Sequence, residues 1–509
     1  MQGLSLADIG KPVGKATAIA LSWGDETMTY GELNAAIDAA RSAYSVLAAR
    51  PGDRVALLLP TGPEFVIAYF GALRAGLVVM PLNPLLGPEE IKAIVADMRP
   101  AVLLAAPADA PYPILPQLDE IMAGLATPVT LVRYGEGAYF DELLRCAPRG
   151  LPVCPRDDGG EAVILFTSGT SGRPKGVSHV QSALLANAHH ANAVFAFDPR
   201  DVLLCPLPLS HVFGQMVMML GGLMAGAELA LVPRPTPAAL LHAMVQRQPT
   251  MVAAVPTSFA ALAELGRADS DGVRRAVQRL RFAFSGGAAL PPPTADFFMR
   301  VFGIAVHQGY GMTEVACCIA IEAPSTPPGQ GVGRLCTPLS YRIVPNDPAK
   351  PDEGELELSG PNIFRGYYVD GEWRPRAVEQ WFATGDMVRI DQAGSLILYD
   401  RKKNMIIRNG YNVYPSEVEA VLTRHPDVVL AAVIAVPDPV VGEEIAAFVQ
   451  LRDGAVLTAD SLARWCRTQI ALFKYPRLFA IVPVMPTNPT GKIMKSALNS
   501  DQLRRVDQR

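Results

Sequence analysis

The stretch with the clearest chemical character is TSGTSGRPKG, residues 167–176, which follows the apolar segment AVILF at 162–166. Gly, Ser and Thr fill most of its positions, and Lys175 supplies a cationic side chain. Backbone N–H groups of a glycine-rich turn point into a concavity that binds anionic oxygens, and small hydroxyl side chains add donors without bulk. A loop of this composition directly after a buried strand favours phosphate binding over a plain surface turn.

This loop differs from two common nucleotide-binding motifs. A Walker A loop places its lysine directly before a Ser or Thr that binds magnesium at the start of a helix. Here Gly176 follows Lys175 and Pro174 precedes it. The spacing G-x-G-x-x-G of dinucleotide-binding folds is also missing. The sequence therefore predicts a phosphate cradle of another type.

The segments around this loop alternate between strand and helix patterns. Residues 53–60 are typical of a buried strand, residues 63–76 of an amphipathic helix and residues 78–84 of a second strand. The same rhythm predicts strands at 201–209, 227–233, 249–256 and 281–287. Continuous apolar strands between helices imply parallel sheets that are covered on both faces. We therefore predict an α/β fold with a large N-terminal domain of layered parallel sheets and helices.

The pattern changes near residue 340, where short strands with turns between them predict a β-rich subdomain. After residue 400 follow a helix, strands at 428–438 and 444–451, and a second helix at 461–470. We predict two domains, residues 1–400 and a small, mobile α+β domain of residues 401–509, whose size is plausible for an independent unit. Its first helix is expected to begin at Ser416, with Glu419 completing a capping box.

The composition is that of a globular protein. Of the 509 residues, 50% are hydrophobic and 18% are charged, and the net charge of −4 excludes an overall basic nucleic-acid binder. The most apolar run, residues 216–232, contains Glu228 and is better explained by a buried helix, a turn near Gly226 and a strand than by a membrane span. The N-terminus shows no signal-peptide pattern, and the seven scattered cysteines form no C-x-x-C pair. We expect a soluble, cytoplasmic protein without integral membrane segments.

Five further segments, together with the glycine-rich loop, resemble the motifs of a known enzyme family. They are GYGMTE (309–314), GELELSGPNIFRGYY (354–368), WFATGDMVRID (381–391), DRKKNMIIRNGYNVYPSEVEAVL (400–422) and PTNPTGKIMK (486–495). With TSGTSGRPKG, they resemble in order the core motifs of the ANL adenylate-forming enzymes, in particular the acyl- and aryl-CoA synthetases. Six ordered motifs along nearly the whole chain are far more specific than any single one.

The resemblance implies a reaction in two halves that uses ATP, Mg²⁺ and CoA. A carboxylate attacks the α-phosphate of ATP and expels pyrophosphate, and the resulting acyl-adenylate then passes its acyl group to a thiol. Such a displacement depends on positioning and charge neutralisation. The partners implied are therefore a small carboxylic acid and CoA, with a free-standing acyl carrier protein as the alternative acceptor.

The resemblance also implies the nucleotide-binding residues. Thr313 would contact the α-phosphate, and Glu314 would hold Mg²⁺, which prefers oxygen ligands. Asp386, assisted by Arg401, would bind the ribose hydroxyls. The other residues implied to surround ATP or AMP are Thr167, Ser168, Gly169, Thr170, Ser171, Gly172, Lys175, Gly287, Ala288, Tyr310 and Gly311.

Lys492 is the catalytic residue that the resemblance assigns to the small domain. The matching lysine steadies negative charge on the carboxylate and the α-phosphate during adenylation. The small domain is then implied to rotate about a hinge at Lys403 and to present Gly410, beside which the thiol arm passes close to the backbone. The chain departs from the family pattern at Asp400, where Gly is usual, and at Asn404, where an acid is usual.

The acyl pocket is implied to lie near His211, a position where acyl- and aryl-CoA ligases often carry His and which we count among the catalytic residues. No acid occurs between Asp201 and Glu228 to pair with the ammonium group of an amino acid substrate. We predict a hydrophobic monocarboxylic acid, favouring a medium- or long-chain fatty acid over a benzoate- or cinnamate-type acid. The implied wall residues are Val212, Phe213, Met216, Gly309, Val315, Ala316 and Cys317.

One function of another class stays open, a non-catalytic nucleotide-binding protein on the same fold. Such a protein would be expected to lose Lys492, Glu314 or Asp386, and all three are present. The enzyme is therefore the favoured interpretation. The sequence leaves open whether the protein is a monomer or a homodimer.

Overall fold

A computed structural model describes residues 5–12, 14–135, 139–146, 159–168, 174–268, 270–325, 328, 331–346, 348–377, 379–487 and 493–506. These residues form two large sheets with helices, a small antiparallel sheet and a C-terminal α+β unit. The α/β fold class predicted from the sequence is thereby confirmed.

The strands fall into three groups along the chain. In order they are β1 (Ile19–Trp23), β2 (Glu26–Thr29), β3 (Arg54–Leu58), β4 (Val78–Pro81), β5 (Val102–Ala105), β6 (Thr130–Arg133), β7 (Glu161–Ser168), β8 (Pro174–Val180), β9 (Val202–Cys205), β10 (Glu228–Leu231), β11 (Met251–Ala254), β12 (Phe282–Ser285), β13 (Val306–Met312), β14 (Cys317–Ile321) and β15 (Arg334–Leu335). There follow β16 (Ser340–Pro345), β17 (Glu353–Ser359), β18 (Gly366–Val369), β19 (Glu372–Pro375), β20 (Phe382–Ile390) and β21 (Leu396–Arg401). The last group is β22 (Ile406–Arg408), β23 (Tyr411–Val413), β24 (Val428–Asp438), β25 (Gly442–Leu451), β26 (Leu478–Ile481) and β27 (Arg504–Arg505).

The α-helices lie mainly between the strands of the two large sheets. In chain order they are α1 (Tyr30–Val46), α2 (Pro63–Arg74), α3 (Pro88–Met98), α4 (Leu118–Ala123), α5 (Tyr139–Cys146), α6 (Gln181–Phe195), α7 (Gly222–Ala225), α8 (Pro237–Arg247), α9 (Pro256–Ala268), α10 (Ser270–Ala276), α11 (Pro292–Phe302), α12 (Pro415–Thr423) and α13 (Ala459–Gln469).

The two large sheets are parallel inside and antiparallel at their edges. The first has the strand order β15-β14-β13-β12-β11-β9-β10-β1-β2, and the run from β13 to β1 is parallel. The second has the order β19-β18-β8-β7-β4-β3-β5-β6, and the run from β7 to β6 is parallel. Antiparallel hairpins such as β7–β8 and β13–β14 extend these cores. The glycine-rich motif and the GYGMTE motif lie in those two hairpins.

Burial on both sheet faces explains the continuous apolar strands. In β9, Leu203 and Cys205 belong to one apolar cluster, whereas Leu204 belongs to another on the opposite face. Because successive side chains of a strand point to opposite faces, a strand with both faces covered loses the polar alternation. The helix-and-strand rhythm predicted from residue 53 to residue 287 is confirmed for this reason.

The apolar run at 216–232 forms a bent helical unit. A π-helix spans Gly214–Gly221, α7 follows, Gly226 takes the left-handed conformation with φ +76°, and β10 continues from Glu228. The helix, turn and strand predicted for this run are confirmed. Within the part of the chain that the structure describes, no helix combines the length and the apolar character needed to cross a bilayer.

The region after residue 340 is β-rich as predicted. Strands β16, β17, β20 and β21 form a four-stranded antiparallel sheet in the order β16-β17-β20-β21. This sheet leads directly into the C-terminal unit, because β21 ends at Arg401 and β22 begins at Ile406.

The C-terminal unit packs α12 and α13 against a sheet of β22–β27. The capping box predicted at its first helix is wrong. Tyr414 is the N-cap residue, Pro415 opens α12, and the Tyr414 side chain makes no capping hydrogen bond. The Ser416 hydroxyl instead donates to the carbonyl oxygen of Tyr399, and the Glu419 carboxylate accepts from the backbone N–H of Val433 at 2.7 Å. Tertiary partners thus take both side chains that the local pattern assigned to the cap.

Candidate active site

The glycine-rich segment is the connection of the hairpin β7–β8. Thr167 pairs with Lys175 and Ser168 with Pro174, so the hairpin brings the two ends of the segment side by side. The predicted phosphate-binding residues Gly169, Thr170, Ser171 and Gly172 lie outside the described residues.

A chain of side chains links this hairpin to the GYGMTE motif. Strand β18 pairs with β8 and places the ring of Tyr367 near Lys175, whose Nζ lies 5.9 Å from the ring centroid. The Tyr367 hydroxyl donates to Oε1 of Glu314 at 3.0 Å. Burial, together with the charge of Glu314, raises the pKa of Tyr367, so its hydroxyl stays a proton donor. The predicted phosphate and magnesium residues therefore lie in one contiguous group.

The turn that carries Thr313 and Glu314 needs an unusual backbone. Residues Thr313–Val315 form one 3₁₀ turn, after which Ala316 and Cys317 take positive φ values of +54° and +106°. A Cβ at Gly311 would lie 1.7 Å from the carbonyl oxygen of Cys317. Only glycine allows this approach, which explains the residue type at that place in the motif.

Two buried polar side chains hold this turn from below. His179, at the end of β8, donates from Nε2 to the carbonyl oxygen of Thr313 at 2.7 Å. Asn187, on α6, donates from Nδ2 to the carbonyls of Val315 (3.1 Å) and Cys318 (3.2 Å) and accepts from the N–H of Cys318. The sequence analysis missed both residues. Their signal was the presence of polar residues on the apolar segment that directly follows the glycine-rich loop.

The predicted ribose site is assembled from three motifs. Asp386 on β20 and Arg401 at the end of β21 are register partners, and Arg401 Nε lies 2.9 Å from Asp386 Oδ1. The Tyr310 hydroxyl donates to Asp386 Oδ2 at 2.5 Å. Burial, and then the negative charge of Asp386, raise the pKa of Tyr310 well above its usual value. Asp386 is buried, so its carboxylate is oriented by these two partners before any ligand arrives.

The loop after β12 forms another wall of the cleft. Gly287 has φ +87°, and Gly287 and Ala288 are exposed. Gln308 fixes the far side of this loop, because its Oε1 accepts from the N–H of Leu290 at 2.9 Å. Beneath the loop, Gly286 lies on the ring of Phe213, which is 3.0 Å from the position of a Cβ at residue 286.

The predicted acyl-pocket residues lie in one packed region. The N–H of Phe213 donates to His211 Nδ1 at 3.2 Å, and the Phe213 ring meets the Phe284 ring edge to face at 5.8 Å. A Cβ at Gly309 would lie 2.3 Å from Phe284 Cζ, so the Phe284 ring stands directly behind Gly309. Phe284 is a third residue that the sequence analysis missed. The other predicted wall residues are all buried, namely Val212, Met216, Val315, Ala316 and Cys317.

The residues predicted on the C-terminal unit lie in different places. Lys403 sits in the short 3₁₀ turn Lys402–Asn404 that joins β21 to β22. Gly410 has φ +78° at the exposed tip of the β22–β23 hairpin. Lys492 lies outside the described residues, but Ile493 lines the same cavity as Ala288, of about 120 Å³.

Two family models match the chain. The model of the AMP-binding enzymes covers residues 12–368, and the model of the AMP-binding enzyme C-terminal domain covers residues 417–492.

Individual relatives match over nearly their full length. A feruloyl-CoA synthase from Amycolatopsis is 33% identical over 97% of this chain and 98% of its own. The long-chain-fatty-acid–CoA ligase FadD13 of Mycobacterium tuberculosis is 30% identical over 93% of each chain. The crystal structure of ATP-bound MatB from Rhodopseudomonas palustris superposes with a TM-score of 0.86 at 27% identity, covering 97% of both chains.

Burial gives His179 a measurable effect on stability. Burial lowers its pKa from 6.5 to about 4, so the folded protein holds the neutral ring while the unfolded chain takes up a proton below pH 6.5. Stability is therefore lost as the pH falls from about 6.5 towards about 4. When the pH is lowered from 7 to 5, protonation of His179 in the unfolded chain should reduce the free energy of unfolding by about 2 kcal/mol.

We predict that His179→Gln reduces the loss of unfolding free energy between pH 7 and pH 5, because an amide can donate to the Thr313 carbonyl without titrating. Urea unfolding at pH 7, 6 and 5 measures this free energy. His242→Gln, at an exposed histidine, is the matched control. Parallel pH profiles for wild type and His179→Gln would contradict the prediction.

Proposed function

This chain belongs to the AMP-binding enzyme family and is an acyl- or aryl-CoA ligase, and from that premise we propose that it joins a hydrophobic monocarboxylic acid to CoA through an acyl-adenylate. The observation that carries the proposal is that Tyr310, which bonds to Asp386 beside Arg401, shares strand β13 and its turn with Glu314. Tyr367 in turn joins Glu314 to Lys175 of the phosphate hairpin. The group around Asp386 thereby suits the ribose of an ATP molecule, and the hairpin with Lys175 suits the phosphates of the same molecule.

We propose that these residues position ATP rather than react with it. The Asp386 carboxylate accepts from the ribose hydroxyls, while Arg401 and Tyr310 keep it oriented. Lys175 and the glycine-rich loop neutralise the phosphates, as displacement at phosphorus requires. Fixed charges of this kind need no reorganisation during the reaction.

The proposed metal residue fits Mg²⁺ chemically. Mg²⁺ is usually held by one or two carboxylates together with substrate phosphates. Glu314 provides a carboxylate beside the phosphate hairpin, and Tyr367 orients it through a hydrogen bond to Oε1. When bound, Mg²⁺ would neutralise charge on the phosphates. The second oxygen of the carboxylate, Oε2, takes no part in this hydrogen bond and suits that role.

The acid is proposed to lie between His211 and Gly309, with its carboxylate towards Thr313. Lys492, from the C-terminal unit, then stabilises the charge that gathers on the carboxylate and the α-phosphate. This lysine is the one proposed catalytic group that is not supplied by the large sheets. After adenylation, the thiol of CoA attacks the acyl carbon and releases AMP.

The packing of the proposed pocket limits the acid. The wall residues named above are uncharged, which suits a hydrophobic tail. Behind Gly309, the Phe284 ring continues into an aromatic cluster, with Phe195 at 4.9 Å and Phe213 at 5.8 Å between ring centroids. This cluster shortens the pocket, so we favour a medium-chain fatty acid. A planar aryl acid is the second candidate, supported by the flat Phe284 ring and by the feruloyl-CoA synthase among the relatives.

Pyrophosphate release with ATP and a panel of acids tests the proposal. Octanoate, palmitate, benzoate and cinnamate cover the candidate classes, and glycine and malonate serve as controls that the uncharged wall should reject. CoA and a phosphopantetheinylated acyl carrier protein are compared as acceptors. Acid-dependent pyrophosphate release with CoA-dependent thioester formation is expected. Turnover only with glycine or malonate would overturn the proposed substrate class.

Lys492→Ala should separate the two half-reactions. We expect a loss of at least a hundredfold in adenylate formation, because one fixed charge at the transition state is removed. Thioester formation from a supplied acyl-adenylate should change by less than about threefold, since that step does not use the lysine. An equal loss in both half-reactions would contradict this role.

Phe284→Ala should lengthen the pocket. Two additional buried methylenes are worth about 1.6 kcal/mol, so the kcat/KM ratio of palmitate to octanoate is expected to rise about tenfold. Phe259→Ala is the matched control, because it removes an equally buried ring from the apolar cluster on the other sheet face. An unchanged ratio in Phe284→Ala would show that this ring does not limit the pocket.

A further inference from the structure

The N-terminal part and the C-terminal unit have separate cores. Two apolar clusters lie within residues 406–506, and among the described residues neither includes a side chain from before residue 406. The chain passes between the two bodies once, through residues 401–405. Bodies that are joined by a single linker are expected to move relative to each other unless their interface is large and hydrophobic.

One ion pair joins the two bodies far from that linker. Arg452 Nη1 lies 2.7 Å from Oε1 of Glu264 on α9, across 188 positions of sequence. The other polar contacts described here between the bodies, such as the Ser416 N–H bond to Asp400 Oδ2 at 2.9 Å, lie next to the linker. The Arg452–Glu264 pair therefore resists rotation of the C-terminal unit about the linker more effectively than the contacts next to the linker do.

Both partners of the pair are held by their own body. Arg267, three residues along α9, also donates to Glu264 Oε1, and its guanidinium lies 4.6 Å from the ring centroid of Phe297. On the other side, Arg452 Nε donates to the carbonyl oxygen of Pro426 at 2.8 Å. Burial raises the pKa of Glu264, but the hydrogen bonds from Arg452 and Arg267 outweigh this and lower it, so the carboxylate stays ionised. Little side-chain freedom remains to be lost when the pair forms.

The pair stands at a cavity that contains part of the proposed site. Glu264 and Arg452 line the cavity of about 120 Å³ together with Ala288 of the loop after β12 and Ile493 of the C-terminal unit. Ile493 directly follows Lys492 in sequence. The orientation that closes the ion pair therefore brings the segment next to Lys492 to the nucleotide loop.

We propose that Arg452 and Glu264 are positioning residues, whose ion pair holds the C-terminal unit in the orientation for adenylation and opens before the thiol step. This inference rests on the proposed function, because it assigns the orientation to one half-reaction. Gly410, the residue proposed to guide the thiol, is exposed in this orientation, which agrees with a thiol step that follows the opening of the pair. Both partners are partly exposed, so the pair biases the orientation only a few-fold and weakens with salt.

Charge reversal tests the pair through the two half-reactions. Arg452→Glu places two carboxylates together and should slow adenylate formation about tenfold, while thioester formation from a supplied acyl-adenylate is unchanged or faster. The double variant Arg452→Glu with Glu264→Arg should recover adenylation to within about threefold of wild type. Arg464→Glu, an exposed residue on α13, makes the same charge change on the same unit and should have no effect. In 0.5 M salt, the difference between wild type and Arg452→Glu should shrink.

A second measurement does not depend on turnover. Trypsin cleavage in residues 401–405, which contain Arg401, Lys402 and Lys403, should be faster in Arg452→Glu and return towards wild type in the double variant. Equal cleavage in all variants, or equal loss of both half-reactions without rescue, would overturn the inference. A wild-type enzyme that releases no pyrophosphate with any acid would instead contradict the proposed function, and the cleavage pattern would still decide on the ion pair.

Discussion

The candidate site depends on how one strand and the turn after it are held. Strand β13 and the turn Thr313–Val315 carry Tyr310 and Glu314, and each of these side chains is bonded to a different distant motif. Below the turn, His179 and Asn187 donate hydrogen bonds to the carbonyl oxygens of Thr313 and Val315. A buried carbonyl left without a donor costs about 1–3 kcal/mol, so this arrangement fixes the turn as firmly as any apolar contact in the core.

A polar network and an apolar cluster lie on two sides of the β13–β14 hairpin. Tyr310, Asp386 and Arg401 form a preoriented group on the nucleotide side. Phe284 and Phe213 fill the space on the acyl side. Because Gly309 lies at the boundary and admits the Phe284 ring against its backbone, the size of one aromatic residue controls the depth of the proposed pocket.

The proposed catalysis joins groups on the N-terminal part to a C-terminal unit that is expected to move. The large sheets and the small antiparallel sheet hold the groups proposed to bind ATP, whereas the lysine proposed to act on the acid belongs to a unit with its own core. Such a division lets one cleft serve two half-reactions with different geometry. It also means that weak contacts between the bodies, worth little to folding, can set the rates of the individual steps.

The sequence by itself determined the family, the alternation of strands and helices between residues 53 and 287, and the β-rich region after residue 340. These features depend on local periodicity and on short motifs, both of which involve residues that are close together in sequence. The roles assigned to individual site residues stay predictions. Only the tertiary structure decided that Ser416 bonds to Tyr399 instead of capping its own helix, that Tyr310 orients Asp386, and that Phe284 stands behind Gly309. In each case the two partners come from segments that are far apart in sequence. Sheet order and packing bring them together in space, and local sequence patterns do not predict such contacts.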